Sequence, residues 1–96
     1  MTSSPTSSPP HRPIDLALAR THLRLGSLAL ARAELETLAG AGGLDEEGRV
    51  DLAEAFWRTG DLARAGEVAT EALATLGDDP VALVIAAEAA SALGRP

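Results

Sequence analysis

Three glycines, Gly26, Gly60 and Gly94, stand 34 residues apart, and their surroundings repeat with them. Ala19, Ala53 and Ala87 lie seven residues before them, and Leu18, Leu52 and Ala86 lie eight before. Arg24 and Arg58 lie two before, Leu28 and Leu62 two after, and Ala31 and Ala65 five after. Each residue type has a mechanical role. Glycine ends a helix by taking the left-handed conformation without steric cost. Ser27 or Asp61, directly after it, restarts the chain as an N-cap. Small alanines let two helices approach, and leucines fill the space around them. One helical hairpin cannot bury its own apolar face, so a repeated hairpin is built to stack on its copies.

Composition agrees with a helical stack. Twenty alanines and fifteen leucines set the helix propensity, whereas Trp57 and Phe56 are the only aromatic residues. Helical spacing and cap signals divide the chain into five helices. The first begins near Ile14 and stops at Gly26, and the second runs from Leu28 to about Ala39. GAGG, Gly40 to Gly43, reads as a loop. Asp45 caps a third helix that reaches Thr59, with Glu46 and Glu47 in its first turn, where the helix dipole favours negative charge. Asp61 caps a fourth helix through about Leu76. Asp79 and Pro80 open a fifth, which ends at Gly94. Residues 1–13, rich in Ser, Thr and Pro, read as a disordered, solubilising tail.

A helix-turn-helix unit with this period resembles the tetratricopeptide repeat. The likeness covers about residues 12–96, as two repeats plus the first helix of a third. Ala19 with Ala31, Ala53 with Ala65, Leu18, Leu52, Phe56 and Ala72 match that family's pattern. Asp15 and Arg49 replace its early aromatic, His22 its later one in the first repeat, and Gly43 and Gly77 its closing proline. The resemblance implies an all-α, right-handed α-solenoid of antiparallel helix hairpins. It also implies a concave groove lined by the first helices of successive repeats.

Several functional classes lose support at this level. The chain has no cysteine, which removes disulfides, thiolate nucleophiles and Cys-based zinc sites. Net charge is −6 and the eight arginines are scattered, which argues against nucleic acid. All the basic residues are arginine, with Lys, Asn and Gln absent, which suggests the bacterial-like composition of a GC-rich genome. The longest largely apolar run, Val81 to Leu93, falls short of the ~20 residues a membrane span needs, and the N-terminus lacks a signal-peptide pattern. A cytoplasmic protein is the expectation. The only histidines, His11 and His22, form neither a zinc site nor a nucleophile–base pair, so no catalytic residue, metal or cofactor is expected.

Binding is the better-supported class. By the resemblance, the groove is lined by Leu16, Arg20, Leu23 and Arg24, then Val50, Asp51, Glu54, Trp57 and Arg58, then Val84, Ile85, Glu88 and Ser91. Aromatic and arginine anchors dominate interface energies, which makes Trp57, with Arg58, Arg20 and Arg24, the natural contact patch for a protein segment. The competing reading packs Trp57 onto a neighbouring helix. The Lys/Asn set with which some family members hold a terminal carboxylate is absent, while Arg20 and Arg24 remain suited to an acidic segment. The fifth helix is apolar around most of its circumference, as buried helices are, yet the second helix of its hairpin is missing. Either the chain is the N-terminal part of a longer repeat protein, or it forms a homodimer through this helix, or a partner helix completes it. Val81, Val84, Ile85 and Glu88 form the candidate assembly surface, and Val84→Glu or Ile85→Glu is expected to leave a monomer with its first two hairpins folded.

Overall fold

The computed structural model describes residues 15–94. They form five helices: α1 (Leu16–Leu25), α2 (Leu28–Gly40), α3 (Glu46–Arg58), α4 (Leu62–Leu76) and α5 (Pro80–Ala92). There is no strand among the described residues. The tail read at 1–13, and the start placed at Ile14, lie outside them.

The turns are built as their residues dictate. Gly26 and Gly60 have φ of 85° and 89°. At each, two backbone bonds close the helix end: Gly26 N to Leu23 O and Ser27 N to His22 O, then Gly60 N to Trp57 O and Asp61 N to Phe56 O. This is the Schellman pattern, which satisfies carbonyls that the ended helix would otherwise leave open. The end of α2 uses the same pair of bonds at Gly42 and Gly43, so Gly40 belongs to the helix and the loop begins one residue later than expected. Similarly, α3 stops at Arg58 and α5 at Ala92, with Thr59 and Leu93 as their caps. The side chains of Asp45, Asp61 and Asp79 each accept a bond from the backbone three residues on, but Ser27 holds its position without a side-chain cap bond. Asp15, a departure from the repeat pattern, caps α1 through the amide of Ala17 at 2.8 Å.

Each helix packs on the next, and short connections make neighbours antiparallel. In addition, α3 meets α1 and α5, so it touches every other helix. The core runs along this axis. Ala19, Ala31, Ala53 and Ala65 are fully buried, and Leu35, Phe56 and Ile85 supply bulk among them. Each large side chain of this kind contributes about 1.5–3 kcal/mol by burial. Gly66 marks the tightest approach. A Cβ there would lie 2.9 Å from the Cβ of Ala89, so α4 and α5 meet at a distance that only glycine allows.

Residues one period apart do not share one environment. Leu52 is 5% exposed, but Leu18 is 48% exposed, because α3 has helices on both sides and α1 does not. Ala87 is likewise exposed where Ala19 and Ala53 are buried. The same sequence position thus has different burial in different helices, set by what packs alongside.

Candidate protein-binding cleft

An open cleft of about 380 Å³ lies between α3 and α5, lined by Glu54, Trp57, Pro80, Val81, Val84 and Ile85. Its volume is at the small end of ligand sites. Helical spacing produces it: Glu54 and Trp57 are three apart on α3, and Val81, Val84 and Ile85 are three and four apart on α5, so each set shares a face. Val81 is expected by sequence on the assembly surface and not in the groove, and Pro80 is the contributor that the sequence does not single out. Its position at the start of α5 was legible, but its place on the cleft wall depends on how closely α5 approaches α3.

The residues expected to line the groove divide three ways. Leu23 and Val50 belong to the core, and Leu16 packs on it, partly buried. Trp57 is partly buried against the core and also forms one wall of the cleft. Arg24 and Ser91 are exposed.

The remaining charged residues are largely spent inside the molecule. Arg20 Nε donates to Asp51 Oδ2 at 2.6 Å, joining α1 to α3. Burial pushes the Asp51 carboxyl above its ordinary range, an effect that the bond from Arg20 partly opposes. For Arg20 the hydrogen bond to Asp51 dominates and raises its pKa. The two respond differently because Asp51 is the less exposed partner. Arg58 Nη1 donates to the backbone oxygen of Leu23 at 3.0 Å and to Glu54 Oε2 at 3.3 Å.

The proposed assembly surface also separates. Val81 and Val84 are exposed, at 44% and 50%, together with Leu83 on the same helix and Leu93 at its C-cap. Glu88 is exposed as well. Ile85 is 0% exposed, so its side chain serves the core and is not available to a partner as a surface residue. The reason is its neighbours: Ile85 lies on the side of α5 that carries the buried Ala82 and Ala89.

A second cluster was not anticipated. Arg32 on α2 lies over the Phe56 ring at 4.9 Å and donates to Thr59 Oγ1 at 3.1 Å. It also approaches Asp61, while Arg64 stands 5.7 Å from the same ring and pairs with Glu36. These contacts fasten α2 to the α3–α4 turn. His22 is partly buried, as its repeat position suggests, with Nδ1 2.7 Å from Glu34 Oε1. Among the described residues no group of three or more His, Cys, Asp or Glu side chains is placed to hold a metal, and no helix is long and apolar enough to cross a membrane.

The fold and cleft together define a small all-helical protein with an apolar depression between two helices. Comparison with models of protein families, with curated proteins and with solved structures gives no match.

Proposed function

We propose that this chain is a non-catalytic protein–protein interaction scaffold of the tetratricopeptide type, a right-handed α-solenoid acting in the cytoplasm. It holds a protein segment on the face where α1, α3 and α5 follow one another. The observation that carries the reading is the cleft between α3 and α5, where Trp57 meets Val81 and Val84. A partly exposed tryptophan beside aliphatic side chains is the arrangement from which binding hot spots are made. The period, the two matching glycine turns and the contacts of α3 with α1 and α5 support the solenoid.

Trp57 is the only tryptophan, so its emission reports on the cleft alone. Tryptophan-free peptides selected for binding to the chain are expected to shift that emission and to lose affinity for Val84→Glu. Binders that leave Trp57 unchanged, and that bind Val84→Glu equally well, would remove this reading.

The second reading is a structural self-assembly unit, favoured by the exposed Val81, Leu83 and Val84 on α5 and Leu93 at its C-cap. An apolar face of this kind is a common assembly surface. Light scattering across a concentration range separates the two: a mass that doubles as concentration rises favours self-assembly, and a constant monomer mass favours the scaffold.

A further inference from the structure

Resting on the scaffold reading, we infer that the α3/α5 cleft takes a basic, amphipathic segment of a partner protein. One bulky apolar side chain of that segment sits against Trp57 and Val84, and a Lys or Arg about one helical turn away meets Glu88.

By sequence, Arg20 and Arg24 suit an acidic segment, with Arg58 expected on the same groove side. The structure changes the balance. Arg20 is committed to Asp51 at 2.6 Å, and Arg58 to Leu23 O and Glu54. Of the three, only Arg24 makes no ion pair with another described residue, and it stands on the α1 side of the groove, away from the cleft-forming α5. The acids are not balanced in the same way. Glu88 is the only charged residue in α5, is exposed, and has no ion-pair partner among the described residues. It lies four residues after Val84 and three after Ile85, so helical spacing puts it one turn beyond the residues that line the cleft. Glu47, on the first turn of α3, is exposed and also without an ion pair among the described residues. Glu54, on the cleft wall itself, is already paired with Arg58, so the unpaired carboxylate beside the cleft is Glu88. The whole chain carries −6, so the long-range field also draws a cationic segment.

The apolar anchor has only one place to go. At the α1/α3 step, the position one period before Ile85 is Asp51, locked to Arg20. At the α3/α5 step that position is the buried Ile85, and Trp57, Val81 and Val84 line the cleft beside it. A bulky side chain entering the first step would meet a closed ion pair, and at the second it meets apolar wall. A second copy of this chain suits the cleft less well, because it brings the same negative charge.

The test uses the full chain and two designed helical peptides free of tryptophan, identical in their Leu face but bearing Lys or Glu on the other. The Lys peptide is expected to shift Trp57 emission saturably, to weaken with salt, and to lose at least tenfold in affinity for Val84→Asp. Glu88→Gln should cost it about two- to fivefold, as expected for an exposed ion pair, and flatten the salt dependence. A Lys peptide in which the Leu anchors are Ala should not bind. If the Glu peptide binds as well as or better than the Lys peptide, and Val84→Asp abolishes this, the cleft reading stands and the charge assignment is overturned. If the Lys peptide binds Val84→Asp unchanged, its attachment is diffuse charge attraction and the proposal fails. If neither peptide shifts Trp57 and the chain doubles its mass with concentration, both the proposal and the scaffold reading fall to self-assembly.

Discussion

Arg58 on α3 donates from Nη1 to the backbone carbonyl oxygen of Leu23 on α1, 3.0 Å away and 35 residues back in the chain. The carbonyl belongs to the last turn of α1, where it also accepts from Gly26 N and where a cation is favourable. A residue that the sequence places in a binding groove is thus also a staple between the two hairpins. Arg58→Met, which keeps the apolar stem, is expected to destabilise the chain by about 1 kcal/mol, read as a lower urea midpoint with unchanged slope. Unchanged stability would mean that the bond is made with no net gain over water.

The Arg20–Asp51 pair gives a pH dependence of unusual sign. The folded pKa of Asp51 is raised by burial, so the folded chain takes up this proton before the unfolded chain does. Its contribution to stability therefore increases as pH falls through the folded pKa toward the unfolded value near 3.8, and it is lost as pH rises above the folded pKa. Removing the partner in Arg20→Ala should raise the Asp51 pKa further and enlarge the effect, and Asp51→Asn should erase it. NMR titration of the Asp51 carboxyl checks this, and a downward shift in Arg20→Ala would refute it.

Two glycine-to-alanine exchanges within helices should have opposite signs. Gly40, the last residue of α2, has open space where a Cβ would stand, so Gly40→Ala should stabilise slightly, by no more than about 0.5 kcal/mol, through helix propensity alone. Gly66→Ala enjoys the same propensity but places its Cβ 2.9 Å from that of Ala89. Separating α4 from α5 should cost about 1–3 kcal/mol, the usual range for overpacking. Thermal melts of the two variants decide the matter. A Gly66→Ala chain that melts above wild type would show that α5 can shift freely.

Val84 and Ile85 are adjacent, yet substitution by Glu should separate them sharply. Val84→Glu adds a charge on an exposed site and should leave helicity and melting nearly unchanged. Ile85→Glu puts a carboxylate into the core and should cost more than about 3 kcal/mol, with loss of cooperative melting. Circular dichroism on both variants is enough. Equal stability would mean that Ile85 is not held in the core as the structure places it.

The five helices and their turns were legible because each boundary is written locally. Gly26 and Gly60 announce a left-handed residue, and Asp45, Asp61 and Asp79 announce caps. The errors at boundaries are of one or two residues, as at Gly40, where the chain delays its left-handed step to Gly42. Burial was legible only in part. Ala19 and Ala53 could be paired by period, but Leu18 and Leu52 part company because burial depends on what lies alongside, which periodicity does not encode. Ile85 was misassigned for a related reason. In a helix that is apolar all round, nothing in the pattern marks the inward side, and only the contacts of α3 and α4 with α5 select it. The charge pairs Arg20–Asp51 and Arg32–Asp61 span 31 and 29 residues, beyond the reach of any local signal.

The central position of α3 bears on how the chain assembles itself. No two packed helices have more than one other helix between them in the sequence, so every contact closes a short stretch of chain. Such local topology is the kind that folds rapidly. Growth from α3 in either direction adds one helix at a time against a surface already in place. Opening should run in reverse, with α1 peeling first because it packs mainly on α2 and reaches α3 chiefly through Arg20 and the Arg58–Leu23 bond. Amides in α1 should then exchange with solvent well before those in α3, which can be freed only when the whole molecule unfolds.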